Sequence, residues 1–294
     1  MMDGNLVILA GGISSRMKKA VSASSMLDPL LKRDALEKSK SMIGVGAGHR
    51  PFLDYVLYTA REAGYRDVII VVGERDHSIR EYYGFADEGN EVHGLRISYA
   101  IQRIPPGREK PSGTADALLQ ALRAATRWSG SKFTVCNSDN LYSTLAFSLM
   151  LGCADPGALI DYDRSALEFD QERIEQFAVT EKSADGYLVD IIEKPTPDII
   201  ARVRHRSARL GVSMNIFMLS YDVIMPFLDR VPMHPVRQEK ELPAAVQLMV
   251  RELPRSVRAI PLAEHVPDLT NQSDIPRVQE YLRKHFPDFT LERP

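Results

Sequence analysis

The strongest constraint on this chain is a rhythm. Short aliphatic and β-branched runs recur, and amphipathic stretches of helical period lie between the early ones. The strand-like runs are Leu6–Ala10, Val68–Val72, Leu95–Ile101, Phe133–Cys136, Ala158–Asp161, Phe177–Thr180, Tyr187–Glu193, Met214–Leu219 and Val257–Leu262. The helical stretches include PFLDYVLYTAREAG (51–64) and GTADALLQALRAAT (113–126). Strands that are apolar on both faces need cover on both faces, and alternation with helices supplies it through parallel crossovers. The expected fold class is therefore α/β, with a mixed, mostly parallel sheet and helices on both faces. In FAVTEKSADGYLVDIIEKP, Asp185 and Gly186 separate two strand-like runs. That is a hairpin signal and predicts an antiparallel excursion in the second half. With no internal repeat, low-complexity tract or linker, residues 1–294 read as one domain.

Composition narrows the classes of function. The net charge of −2 argues against a general binder of nucleic acid, while leaving room for a local basic pocket. The two cysteines, Cys136 and Cys153, fit a reducing compartment better than a disulfide scaffold. Cys136 lies in an apolar run with no histidine near it in sequence, so it reads as core rather than nucleophile. No apolar run approaches the roughly 18 residues of a membrane span, and no leader-like segment opens the chain. The expectation is a cytoplasmic protein without a membrane partner.

The chemistry-bearing residues sit at the ends of the predicted strands. LVILAGGISSRM (6–17) runs from a strand into Gly11 and Gly12 and on to Arg16. Bare glycines permit positive φ and let backbone N–H groups approach an anion. With Lys40 downstream in KSKSMIGVG, they suit a polyphosphate. The Walker pattern is absent, since no GK[ST] follows. The dinucleotide fingerprint is absent too, because the nearest acids, Asp28 and Asp34, do not close a strand-like run. Residues 18–39 form a charged, weakly periodic insertion of the length used by binding loops, or else a solvated helical excursion. Gln102 ends a strand, and Gly113 and Thr114 open a helix. Together these could read the edge of a nucleobase, or they could be a capped helix with an incidental amide. Asp139, in Ser138-Asp139-Asn140, ends a core strand where α/β ligands gather, and it suits either a loop cap or a Mg²⁺ ion. Glu193 and Lys194 in DIIEKP, Asn215 in SMNIFML and Asp268 in VPDLTNQSD each also fit a cap or a surface charge when read alone.

In order and character these pieces resemble the sugar-1-phosphate nucleotidylyltransferases, also called nucleoside-diphosphate-sugar pyrophosphorylases. LAGGISSRM is similar to that superfamily's signature loop, and Lys40 with IGVG and RPFLDYVL to its second motif. PSGTADAL resembles the base-contacting motif, SDN the metal-binding motif, EKP the sugar-phosphate motif and PDLTNQSD the terminal aspartate segment. The likeness runs from about residue 5 to 283. Ser14 stands where many sugar-specific members have a third glycine, and GGxSxRM looks closer to the molybdenum-cofactor branch. Ser138 replaces the usual glycine.

The resemblance implies a three-layer Rossmann-like domain, with residues 1–140 mainly the nucleotide-binding half and 141–294 mainly the sugar-phosphate half. It implies nucleotidyl transfer from an NTP to a sugar 1-phosphate, dependent on Mg²⁺. Arg16 and Lys40 would be catalytic. Leu9, Ala10, Gly11, Gly12, Ser14, Gln102, Gly113 and Thr114 would bind the nucleotide. Asn140, Glu193, Lys194 and Asn215 would bind the sugar phosphate, and Asp139 with Asp268 would hold the metal. The implied partners are an NTP and a phosphorylated sugar, with homo-oligomerisation left open. Two other readings stay open: a non-catalytic nucleotide- or sugar-sensing paralogue, and a transferase acting on a pterin, polyol phosphate or choline phosphate.

Overall fold

The structure, a computed structural model, describes residues 4–19, 28–206 and 209–289. The chain divides into two compact units, one built from residues 1–111, 137–144 and 267–294, the other from 112–136 and 145–266.

In the first unit, strands β1 (Gly4–Leu9), β2 (Tyr65–Gly73) and β4 (Leu95–Gln102) are parallel neighbours, with Leu6 opposite Val68 and Gly73 opposite Gln102. Leu6, Val7, Ile8, Val68, Ile70 and Ile97 are all fully buried, as the uniformly apolar runs predict for covered parallel strands. The short β3 (Asn90–Val92) is not legible as a strand. It turns onto β4 through His93 and Gly94, both at positive φ, the backbone that a two-residue hairpin requires. The helix Phe52–Ala63 buries Phe52, Leu53, Tyr55, Val56, Leu57 and Ala60. It ends at Gly64 (φ 109°), whose N–H caps the last carbonyls. Tyr55 stacks on Phe289 at 4.2 Å and meets Phe286 edge-on at 5.2 Å, beyond the C-terminal helix Ile275–His285. Each such ring pair adds about 0.5–1.5 kcal/mol beyond its buried area.

The charged insertion is anchored rather than merely solvated. Asp28 accepts from Leu30 N at 2.8 Å and caps the helix Pro29–Glu37. Asp34, 4% exposed, accepts from Gly44 N at 3.0 Å and pairs with His49 Nε2 (2.9 Å) and Lys38 Nζ (2.7 Å). One buried carboxylate thus ties the insertion helix to the loop that follows Lys40. Positions 20–27 of the insertion lie outside the described residues.

In the second unit the long β9 (Gly211–Ser220) organises the sheet. It runs antiparallel to β5 (Lys132–Asn137) and to β6 (Ala158–Asp163), and it touches β7 (Val179–Lys182) at Val212. β10 (Arg258–Leu262) is parallel to β6, and β8 (Leu188–Ile192) returns on β7. The expected hairpin is present, with Gly186 at φ 83° and Ser183 N bonded to Tyr187 O at 2.9 Å. The antiparallel content is wider than that hairpin, because an apolar run does not encode strand direction. Asp161, 1% exposed, anchors this sheet. Its carboxylate accepts from Thr180 Oγ1 and pairs with Arg209 and, at 2.9 Å, with Lys182 Nζ. Gly211 is obligatory beside it, since a Cβ there would collide with the Asp161 carboxylate. Cys136 is fully buried, as its apolar setting suggested.

Candidate active site

The first unit gathers the opening loop, Lys40, Asp139 and Asp268 around the end of β1. Leu9 O accepts from Ser138 N at 3.2 Å and Ala10 N donates to Val71 O at 2.9 Å, so the chain leaves the sheet fully bonded. The next two residues carry no side chains. A Cβ on Gly11 would come within 2.8 Å of Gln102 Oε1, so its absence lets the buried glutamine amide lie against the loop. A Cβ on Gly12 would meet nothing within 4 Å, and its exposed backbone is open to a ligand. One expectation is corrected here: neither glycine takes positive φ, and Ser14 does instead, at 55°. The glycines supply clearance, while the left-handed turn falls on a serine whose Oγ accepts from Lys40 N at 3.3 Å.

Lys40 opens a short 3₁₀ turn, Lys40–Met42, and its Nζ lies 2.6 Å from Asp139 Oδ2. Both side chains are about one-fifth exposed (21% and 20%), so the pair remains accessible. β5 ends at Asn137, so Asp139 lies in the turn two residues beyond the strand instead of ending it. Its carbonyl accepts from Leu269 N (2.8 Å), Leu141 N donates to Pro267 O (2.9 Å), and Asn140 bridges Asp268 in antiparallel fashion. This backbone ladder brings the second aspartate to within one residue of the rung that carries the first. Asp268 Oδ1 accepts from Thr270 Oγ1 at 2.6 Å, and Asp274 Oδ2 braces the turn by accepting from Thr270 N and Asn271 N. Among the described residues no group of three or more His, Cys, Asp or Glu side chains converges. A cation held here would therefore take at most two carboxylates from the protein and the rest from ligand and water, which is the donor pattern Mg²⁺ accepts.

A cleft of about 650 Å³ is lined by Gly11, Gly12, Ser14, Gln102, Lys18 and Arg33 among others, while Lys40, Asp139 and Asp268 are not among its lining residues. Lys18 and Arg33 belong to the insertion, and no sequence signal marked them individually. Arg16 is exposed on the helix Ser15–Lys19 and does not line this cleft.

The remaining site candidates lie in the second unit. Gly113 (φ 105°) leaves no room for a Cβ beside the Lys240 carbonyl, and Ala115 N donates to that carbonyl at 2.9 Å. Thr114 Oγ1 accepts from Leu242 N at 2.9 Å, so its hydroxyl caps the helix Leu242–Glu252. β8 ends at Ile192, which leaves Glu193 and Lys194 in the bend that follows. Lys194 is held at φ 44° and Asn215 at φ 58°, backbone that a residue with a side chain seldom adopts. Asn215 lies where β9 bulges, since Leu159 faces Phe217 while Asp161 faces Ser213. Arg237, which the sequence did not single out, bonds Glu193 and reaches Glu241 at 2.7 Å. Burial and the Glu193 charge push the Glu241 carboxyl up, against the pull of Arg237.

The family model described as nucleotidyl transferase matches residues 6–260, and the chain belongs to that family of enzymes. Over 136 residues it is 27% identical to a D-glycero-alpha-D-manno-heptose 1-phosphate guanylyltransferase of Aneurinibacillus thermoaerophilus, covering 46% of each chain. Over 192 residues it is 24% identical to a glucose-1-phosphate adenylyltransferase of Anaeromyxobacter dehalogenans, covering 65% of this chain and 42% of the relative. The matches thus span under half the length of these curated relatives. In fold the chain is similar to a UTP-bound UGPase from Acinetobacter baumannii, with TM-score 0.68, 18% identity, and 97% and 95% of the two chains covered. It is likewise similar to a UDP-glucose pyrophosphorylase complexed with UDP-glucose, with TM-score 0.67, 15% identity, and 96% and 99% covered. These likenesses establish the Rossmann-like α/β fold. Among the described residues no helix is long and apolar enough to cross a membrane.

Proposed function

We propose that this chain transfers a nucleotidyl group from an NTP to a sugar 1-phosphate, forming an NDP-sugar and releasing pyrophosphate. The observation that carries the reading is the Lys40–Asp139 pair at 2.6 Å, hung from the glycine loop through Ser14 and laddered to Asp268. The reaction brings two anions together, so the site must offset their repulsion and align the attack. An ionised phosphate oxygen of the acceptor bonds to the α-phosphorus, the bond from that phosphorus to the bridging oxygen breaks, and pyrophosphate leaves. No proton has to move at neutral pH, which agrees with the lack of any nucleophilic cysteine or serine–histidine arrangement among the proposed residues.

In this reading the bare Gly11–Gly12 backbone, with Arg16, binds the phosphates that become pyrophosphate. Leu9, Ala10 and Ser14 shape that loop, and Lys40 stabilises charge growing at the α-phosphate. Gln102 contacts the base, with Gly113 and Thr114 shaping the base-binding motif. Asn140, Glu193, Lys194 and Asn215 hold the sugar phosphate. Asp139 and Asp268 are the residues suited to hold Mg²⁺, which when bound would neutralise triphosphate charge. The similarity to nucleotide- and sugar-phosphate-handling enzymes supports this reading.

Pyrophosphate release should be followed with each of the four NTPs, a panel of sugar 1-phosphates and Mg²⁺. Turnover is expected with at least one combination, to be abolished by a chelator and to fall about 10²-fold in Lys40→Ala. Nucleotide binding without turnover would favour the sensing paralogue, and turnover only with a polyol or choline phosphate would move the acceptor class.

A further inference from the structure

Where Lys40 puts its charge depends on the turn that carries it, because an ammonium on a long flexible stem is held no better than its backbone. That turn, Lys40–Met42, is gripped on both flanks by one residue of the charged insertion, Asp34. Upstream, the Asp34 carbonyl accepts from Lys38 N at 2.9 Å, and its Oδ1 pairs with Lys38 Nζ at 2.7 Å. Downstream, its Oδ2 accepts from Gly44 N at 3.0 Å and meets His49 Nε2 at 2.9 Å. Gly44 makes room for that second contact, since a Cβ there would lie 2.6 Å from the His49 ring.

Asp34 differs from an acid that only tethers a surface helix. Arg33 and Glu37 of the same helix pair with each other in the open, whereas the Asp34 carboxylate is buried. A buried carboxylate needs partners, and this one bonds to Lys38, Gly44 and His49, all in the segment that contains Lys40. The turn between those grips is closed by its own backbone: Met42 N donates to Ser39 O at 3.0 Å and Ile43 N to Lys40 O at 3.2 Å. Lys40 N itself is tied to Ser14 Oγ at 3.3 Å. From this fixed backbone Lys40 Nζ reaches Asp139 Oδ2 at 2.6 Å. A misplacement of about 1 Å at a reacting group can cost about 10²-fold in rate, so a clamp of this kind matters to chemistry as well as to folding.

We propose that Asp34 is a positioning residue for Lys40: it clamps the insertion helix to both flanks of the Lys40 turn, so that the ammonium meets the charge growing at the α-phosphate. The inference rests on the transferase reading above for the role of Lys40. For the clamp it rests only on contacts within the first unit. The insertion thereby gains a task in the reaction besides its place in the fold.

The test uses the full chain and two readouts: amide hydrogen exchange without substrate, and pyrophosphate release with an NTP and sugar 1-phosphate that the wild type turns over. In Asp34→Ala, exchange at the Lys40 and Ile43 amides should quicken about ten-fold or more, with the amides of β1 and β2 unchanged. The kcat should fall about 10- to 100-fold. The KM for the NTP should stay within about two-fold, because Lys40 acts on charge that grows only in the transition state. Asp34→Asn, which keeps an acceptor for Gly44 N, should recover part of both losses. The deciding measurement is a double-mutant cycle: in a Lys40→Ala background, Asp34→Ala should lower kcat by less than about two-fold further. Additive losses would overturn the proposal, since Asp34 would then act on the fold and not through Lys40. So would unchanged exchange at the two amides, or an unchanged kcat. If Asp34→Ala fails to fold by its melting curve, His49→Asn takes its place, since asparagine tolerates the left-handed backbone there (φ 61°), and should show the same pattern with smaller losses. If the wild type turns over no substrate pair, the transferase reading fails, and exchange alone decides whether Asp34 holds the Lys40 turn.

Discussion

Two lysine–aspartate pairs in this molecule have similar geometry and opposite character. Lys40 and Asp139 lie 2.6 Å apart, each about one-fifth exposed. Lys182 and Asp161 lie 2.9 Å apart, but Asp161 is 1% exposed and also pairs with Arg209 and Thr180. The buried carboxylate is surrounded by donors of its own unit, which leaves it only a structural task. The accessible carboxylate meets one lysine and adjoins a second aspartate across a backbone bridge, a setting open to a ligand. Distance alone does not separate a working ion pair from a structural one. Burial and the number of partners do.

The comparison predicts opposite phenotypes. Asp139→Asn should lower the rate of pyrophosphate release by about 10³-fold, or roughly 4 kcal/mol of barrier, with the melting temperature nearly kept. A large loss of stability in that variant would place Asp139 with Asp161. Asp161→Asn should instead cost about 3–5 kcal/mol of stability, and urea unfolding would read it. A buried carboxylate that three donors of its own unit depend on loses its charge, leaving two partly buried cations without it. Gly113→Ala should destabilise by about 1–3 kcal/mol, since the added Cβ meets the Lys240 carbonyl at an unfavourable φ. An unchanged denaturation midpoint there would mean that the loop yields and that the glycine is kept for a ligand.

The smallest effect concerns a third, surface pair. The Tyr187 hydroxyl donates to Asp155 at 2.8 Å and, with Arg258, holds the Asp155 carboxyl below its usual range. A depressed carboxyl stabilises the fold above its unfolded pKa, and that stabilisation is lost as pH falls through the folded value. Tyr187→Phe should therefore cost about 1 kcal/mol at pH 7, and the gap from wild type should shrink in acid. A gap that persists below about pH 3 would mean that the ring, not the hydroxyl, carries the effect.

Much of the first unit was legible because its signals are local. A strand ending in Gly11–Gly12, a lysine and Asp139 just past a strand each announce themselves by residue type and position. The hairpin at Asp185–Gly186 was legible for the same reason, since a two-residue turn demands special backbone. Other features were not. Asp34 in a charged insertion looks like any surface acid until Gly44 and His49 close on it. Nothing in SMNIFML shows that Asn215 sits on a bulge at positive φ. Nothing in RQEKE shows that Arg237 lies between Glu193 and Glu241. The twofold and 3.6-fold periods report which face is buried, not which distant residue is met there.

The sequence by itself determined the α/β class, the covered parallel strands and the family, because hydrophobic period and strand-terminal motifs are properties of short stretches. Only the tertiary structure decided which charges are spent. It gave Asp161 a closed set of partners, left Lys40 and Asp139 accessible, and moved the strained turn from the glycines to Ser14. The physical reason is that the character of a charge depends on its solvation and its partners, and both are supplied by residues far away along the chain.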